Sequence, residues 1–240
     1  MALLSGSHSG QANRTGTTCL KVCGIVAPGE LDILAAHGVD LVGLWLAVPG
    51  GPHDLPLDRW RELAERAAAT EGGPAPVLVT FAKDAEVLRS ALESAPAQWV
   101  QLHGYPTPGF VRKVKAIGPE IKVIKVLHVK GGECVEASLI GSYEKAGVDV
   151  FLFDVVSDDG RVGSTGQALD PAVVAPLVEK LTKPFLLAGG ISADNRERYE
   201  KLAAHPLFLG IDVDTNARGA DGRISKDNVA AIAKVWKANA

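Results

Sequence analysis

Aromatic residues make up only 5% of the 240-residue chain, which leaves little material for the stacking platforms that hold single-stranded bases. Charge of one sign is lacking too. The 25 basic residues face 28 acidic ones for a net charge of −3, and the basic ones are spread along the chain. Nucleic acid and anionic membrane surfaces are therefore poor partners. No apolar run approaches the roughly 18 residues of a membrane-spanning helix. The three cysteines, Cys19, Cys23 and Cys134, are too few and too irregular for a disulfide framework. Cys19 and Cys23 stand four apart in a predicted strand, which separates their α-carbons by about 13 Å, beyond disulfide reach. A reducing cytoplasm is the expected setting. The histidines are scattered, and neither His-x-His nor Cys-x-x-Cys occurs, so no metal site is expected. No Gly-x-Gly-x-x-Gly follows the first predicted strand, and no cofactor is expected.

What is present is the pattern of an ordinary globular protein, 47% hydrophobic and 22% charged. Residues 1–16 are rich in Ser, Gly and Asn and lack the apolar core of a secretory signal, so they read as a disordered tail. From residue 17 to 240 the chain reads as one domain. Short β-branched runs at 18–22, 41–46, 77–81, 99–102, 122–127, 150–153, 185–188 and 207–213 alternate with helical periods at 57–69, 85–94, 110–117, 137–146, 171–181, 193–204 and 226–238. Asp58, Asp84, Asp170, Ser192 and Ser225 suit N-caps or first turns, and Gly38, Gly118 and Gly147 suit left-handed helix ends. Almost wholly apolar strands joined by crossover helices mean a parallel sheet buried on both faces. Eight such units in about 220 residues point to a single α/β domain, a closed (β/α)8 TIM barrel, rather than an open doubly wound sheet. The Gly72-Gly73-Pro74-Ala75-Pro76 stretch reads as a loop, not an interdomain linker.

In such barrels the chemistry gathers where strands end. Polar residues of this chain gather there: Lys21 and Cys23 on the first run, Gln101 and His103 on the fourth, Asp154 after the sixth, Gly189 and Gly190 after the seventh, and Asp212 and Asp214 on the eighth. The opposite strand ends show nothing similar. Strand alternation points Lys21 to the same face as Cys23, one layer deeper.

The strings that carry these residues resemble those of the phosphoribosylanthranilate isomerase family. They are Lys21-Val22-Cys23-Gly24-Ile25, Gln101-Leu102-His103-Gly104, Leu152-Phe153-Asp154, Gly163-Ser164-Thr165-Gly166, Leu187-Ala188-Gly189-Gly190-Ile191 and Gly210-Ile211-Asp212-Val213, in order and in register from about residue 18 onward. The resemblance implies an Amadori rearrangement, the isomerisation of an aminoaldose to an aminoketose, as in tryptophan biosynthesis. A general acid protonates the ring oxygen and opens the furanose to an iminium, and a general base then removes the C2 proton. It implies Asp154 as the acid and Cys23 as the base, on strands facing each other across the mouth. A carboxyl between barrel strands loses hydration and gains proton affinity, as an acid requires. A thiol needs a positive neighbour to act as a base. Lys21, Gln101, His103, Gly166 and Arg218 are then expected to contact substrate, with Gly166 in a lid. Asp212 either contacts the sugar or pairs with Lys21. Gly189 and Gly190 offer backbone N–H groups to a phosphate.

Two departures alter the substrate grip. After the second run the family places an arginine suited to the anthranilate carboxylate, whereas this chain reads Ala47-Val48-Pro49-Gly50-Gly51-Pro52-His53-Asp54. Histidine does not replace a guanidinium in a bidentate contact. After the eighth run a small Ser-Ser-Gly turn gives way to Asp214-Thr215-Asn216-Ala217-Arg218. Thr215 and Asn216 are then the phosphate-side candidates, with Arg218 or Arg223 offsetting Asp214. The expected partner is a small anionic aminosugar or sugar phosphate, with room for one other than phosphoribosylanthranilate. Two other readings stay open: a barrel lyase or aldolase using Lys125 as a Schiff-base lysine, and a non-catalytic metabolite-binding barrel.

Overall fold

The structure is a computed structural model that describes residues 18–156 and 168–237. The N-terminal tail, the stretch from Gly163 to Gly166 with its expected substrate contact, and residues 238–240 lie outside the described residues.

Eight parallel strands close a ring. They are β1 (Cys19–Cys23), β2 (Leu41–Leu46), β4 (Ala75–Thr80), β5 (Trp99–Leu102), β6 (Lys122–Lys130), β8 (Val150–Val155), β9 (Phe185–Leu187) and β10 (Phe208–Val213). Pairing of β1 with both β10 and β2 completes the circuit. Two short strands lie off it. β3 (Asp54–Leu55) continues the edge of β2, and β7 (Glu133–Cys134) folds back antiparallel on β6. Neither was expected from the sequence. β6 also runs three residues past its predicted end.

Alternation along these strands sorts the apolar residues into two cores. Cys19, Leu41, Trp45, Val77, Val79, Trp99, Ile124, Val126, Val150 and Leu152 fill the barrel. Their neighbours, such as Leu20, Val42, Leu78, Val100, Val123 and Phe151, pack outward against the helices. The helix α2 (Leu57–Ala69) shows why those helices form. It buries Trp60, Leu63, Ala64 and Ala67, one stripe at 3.6-residue spacing. The other helices are α1 (Pro28–Ala36), α3 (Ala85–Ser94), α4 (Pro108–Lys115), α5 (Ile140–Ala146), α6 (Pro171–Val178), α7 (Glu200–Ala203) and α8 (Lys226–Lys237).

Asp84 and Asp170 cap α3 and α6 by accepting the N–H of Glu86 and Ala172 at 3.1 and 3.0 Å. The Ser225 hydroxyl accepts the Asn228 N–H at the start of α8, and Asp58 sits in the first turn of α2. Three expectations need correction. Ser192 accepts from Asp194 in a turn, and the segment after it is a short 3₁₀ helix, Arg196–Tyr199, followed by the single turn of α7. Gly38 and Gly147 adopt left-handed φ of 64° and 98°, but Gly118 does not; α4 ends earlier, with the Ala116 N–H bonded to Arg112. Helix α1 was not foreseen. Its third residue, Glu30, reaches back to the Val26 and Ala27 N–H groups at 2.9 and 3.0 Å and stands in for a polar N-cap.

Candidate active site

The C-terminal ends of the strands surround a cavity lined by Cys23, Trp45, Val79, Phe81, Gln101, His103, Asp154, Gly189, Gly190, Asp212, Asp214, Thr215 and Asn216, together with Ala188, Ile191 and Val213. Nine of the expected site residues therefore share one wall-to-wall space. Lys21 lies beneath them, fully buried, and Arg218 stands outside.

Lys21 and Asp212 face each other across the β1–β10 register, and the ammonium donates to both carboxylate oxygens at 2.9 and 2.8 Å. Of the two alternatives for Asp212, the geometry supplies the ion pair, while its carboxylate still borders the cavity. Burial alone would strip the Lys21 proton, but Asp212 and the Cys23 thiol beside it more than offset that and hold the ammonium charged. Directly above, burial pushes the Cys23 thiol up to about 12. Lys21 pulls the other way, and so does Trp45, whose indole Nε1–H donates to Sγ at 3.1 Å. The tight fit depends on Gly43, paired with Cys23 on β2. A Cβ there would lie 2.5 Å from Sγ and 3.1 Å from the Lys21 Nζ.

On the opposite wall, burial lifts the Asp154 carboxyl to about 7, and Asp212 adds to the rise. Its Oδ1 accepts the Val155 N–H at 2.8 Å, and its Oδ2 lies 3.6 Å from Nε2 of His103. The His103 ring stacks on Phe81 at 4.9 Å, and burial keeps it neutral. The Gln101 Oε1 is buried without a hydrogen-bond partner and lies on the cavity wall.

At the rim, Gly189 and Gly190 take φ of 79° and 65°. A Cβ on Gly189 would strike the Val155 side chain at 2.8 Å, so only glycine fits that approach. The Asn216 amide donates to the Ile191 carbonyl at 2.9 Å and ties the last two strand ends together. Arg218 is committed elsewhere: it donates to Asp214 at 2.7 Å, to Gly24 O at 2.7 Å, to Gly222 O at 3.0 Å and to Cys23 O at 3.3 Å. It compensates Asp214 and clasps the β1 loop rather than facing the cavity. The loop after β2 closes on itself through the Val48 N–H and Asp54, with His53 edge-on to Trp45 at 5.3 Å. No arginine or lysine among the described residues lines the cavity.

Lys125 does not meet the needs of a Schiff base. Its strand neighbours Ile124 and Val126 fill the barrel, so Lys125 turns outward to Glu136 at 3.0 Å and to the Tyr143 ring on α5 at 4.9 Å. Sequence reasoning missed Trp45, His128 and Glu136. Trp45 was hidden as one more core aromatic. The other two stand on either side of Gly131-Gly132, a pair that marks a hairpin turn and was the available signal.

These side chains come from seven different strands, and the sequence that arranges them has relatives. A family described as "N-(5'phosphoribosyl)anthranilate (PRA) isomerase" matches residues 61–216. The chain belongs to the phosphoribosylanthranilate isomerase family. The Synechococcus sp. (strain JA-3-3Ab) N-(5'-phosphoribosyl)anthranilate isomerase is 30% identical over 92% of this chain and 89% of its own length. The Natronomonas pharaonis isomerase is 31% identical over 90% and 96%. The crystal structure of the Thermus thermophilus enzyme superposes with a TM-score of 0.72 at 24% identity, covering 90% of this chain and 96% of that one. The closed parallel barrel is thus the fold of this family, and the chain is an aldose–ketose isomerase of the intramolecular oxidoreductase class. No helix among the described residues is long and apolar enough to cross a membrane.

Proposed function

We propose that this isomerase performs an Amadori rearrangement on a small aminosugar phosphate, with Asp154 as general acid and Cys23 as general base. The observation that carries the reading is a buried carboxyl whose proton affinity is lifted to about 7, set in one cavity with a thiol that a lysine and an indole N–H approach. An acid tuned near neutrality can both hold and release its proton at working pH. Protonation of the ring oxygen by Asp154 opens the furanose and leaves a cationic iminium. That cation, joined to Lys21 and the Trp45 N–H, favours the thiolate, whose proton leaves to solvent at the barrel mouth, so Cys23 becomes a base only once the ring is open. The C2 proton then passes to sulfur, and the enolamine tautomerises to the ketone.

Gln101 and His103 line the sugar's path. Gly189 and Gly190, with Thr215 and Asn216, supply the backbone and small polar groups suited to a phosphate. The pairing of Asp214 with Arg218 keeps that rim from repelling an anion. Absence of a guanidinium among the described cavity residues supports loose discrimination at the amine substituent. Purified protein is to be assayed with N-(5'-phosphoribosyl)anthranilate and with the phosphoribosyl derivative of aniline, beside complementation of a tryptophan auxotroph. Isomerisation of both within about tenfold is expected, since no bidentate contact is lost. Failure to turn over either compound refutes the reading.

A further inference from the structure

Behind the acid runs a buried chain of hydrogen-bonding groups that, beyond its first member, the proposed reaction does not use. It starts at His103, whose Nδ1 lies 3.2 Å from Nε2 of His128. The Nδ1 of His128 lies 2.7 Å from Oε1 of Glu136. That oxygen also accepts from Lys125 at 3.0 Å, while Oε2 accepts the backbone N–H of His128 at 2.9 Å. All four residues are buried. His128 is the cross-strand neighbour of Asp154 in the β6–β8 register, so the chain is built into the barrel wall.

With both imidazoles kept neutral by burial, the donors and acceptors in this chain can be arranged in one way. Burial raises the proton affinity of Glu136, but the bond from His128 and the charge of Lys125 more than offset it and keep it a carboxylate. A carboxylate only accepts, so the His128 Nδ1 carries the hydrogen. A neutral imidazole has one N–H, so the His128 Nε2 is an acceptor. The His103 Nδ1 must then donate to it, which leaves the His103 Nε2 without a hydrogen and facing the Oδ2 of Asp154. Oδ1 of Asp154 is already engaged by the Val155 N–H. Oδ2 is therefore the oxygen left to carry the acid's proton, and it faces the bare nitrogen at 3.6 Å.

We propose that His128 and Glu136 are positioning residues that lock His103 in its Nδ1–H tautomer, so that its Nε2 accepts the Asp154 O–H and holds the acid protonated. The inference rests on the reading of Asp154 as the acid. A cationic His103 donating to an anionic Asp154 is the opposite arrangement. Burial, His128, Lys125 and Lys21 all oppose it. The remaining groups around the chain are consistent with the lock. Phe81 stacks on His103, and the Tyr105 ring covers His128 at 4.2 Å. Asp212 and Asp214 repel a negative Asp154, while Lys21 favours it.

Two measurements test the lock without substrate. In ¹⁵N-histidine-labelled protein, long-range ¹H–¹⁵N spectra are expected to show His103 and His128 both as Nδ1–H tautomers, the rarer form in solution. In ¹³C carboxyl titrations, Asp154 is expected to lose its proton about one pH unit lower in His128→Phe than in the parent, a tenfold weaker hold. On substrate, the alkaline limb of kcat is expected to move down by the same interval. An Nε2–H tautomer at His103 in the parent overturns the proposal, and so does an unchanged Asp154 titration in folded His128→Phe. If His128→Phe does not fold, the parent spectrum decides alone. Loss of all turnover in the earlier assay removes the acid role but leaves these two results standing, so the two failures are distinguishable.

Discussion

Asp154→Asn should make the protein more stable at alkaline pH. Asparagine keeps the shape and the acceptor for the Val155 N–H, and its amide can donate to the His103 Nε2 as the protonated acid would. What it removes is a charge that the fold opposes. The carboxyl titrates at about 7 in the folded protein against an ordinary 3.8, so folding favours the protonated form. Below pH 4 both states hold the proton and the two proteins should match. Between pH 4 and 7 the unfolded parent ionises first, and the parent loses stability relative to the variant. Above pH 7 the gap levels off, at an upper bound of about 4 kcal/mol. With a urea slope of about 3 kcal/mol per molar, that bound corresponds to a midpoint raised by about 1.3 M. Urea unfolding followed by tryptophan fluorescence at pH 4.5, 6 and 8 measures it. Equal midpoints at pH 8, or a gap as wide at pH 4.5 as at pH 8, would refute the reasoning. The same variant should lose roughly 10²–10⁴-fold in turnover, the usual contribution of a general acid.

Lys21→Met strands the Asp212 carboxylate in the barrel and should cost about 3–5 kcal/mol in unfolding free energy, with most of the loss recovered in the Lys21→Met, Asp212→Leu double variant. Gly43→Ala drives a methyl into Cys23 and against Lys21, and a loss of about 1–3 kcal/mol with a sharp fall in turnover is expected from chemical denaturation and assay. Arg218→Ala breaks the clasp between the β1 loop and Asp214 and should weaken binding of inorganic phosphate by removing a positive charge beside Asp214; calorimetry that finds unchanged affinity would count against that arrangement.

The ring of eight strands was readable because each is a short β-branched run between helical periods, and burial on both faces leaves that mark without any partner information. The same property hides orientation. In a strand as apolar as β6, nothing local tells which face Lys125 takes; the register with β8 decides it, and it turns the lysine away from the cavity. Cys23, Asp154 and the two glycines could be picked out because strand ends in a parallel barrel converge on one mouth. Helix α1 was missed because Pro28-Gly29 reads as a turn, while its stabilising bond comes from the Glu30 side chain. That Arg218 also clasps the Cys23 and Gly24 carbonyls could not be read from the sequence, because they lie nearly two hundred positions away. His128 and Glu136 escaped because each has meaning only through the other.

The Gly131-Gly132 turn joins β6 to a two-residue strand that adds nothing to the closing of the ring. Because the hairpin adds no strand to the ring, its exposed turn can change without reopening the barrel. If Glu136, buried just past this hairpin, governs how tightly Asp154 keeps its proton, the working pH of the enzyme is adjustable from outside the ring while the reacting groups stay untouched. Divergence toward acidic or alkaline surroundings could proceed by trading residues 131–136, and a designer could graft that hairpin as a tuning element onto related barrels.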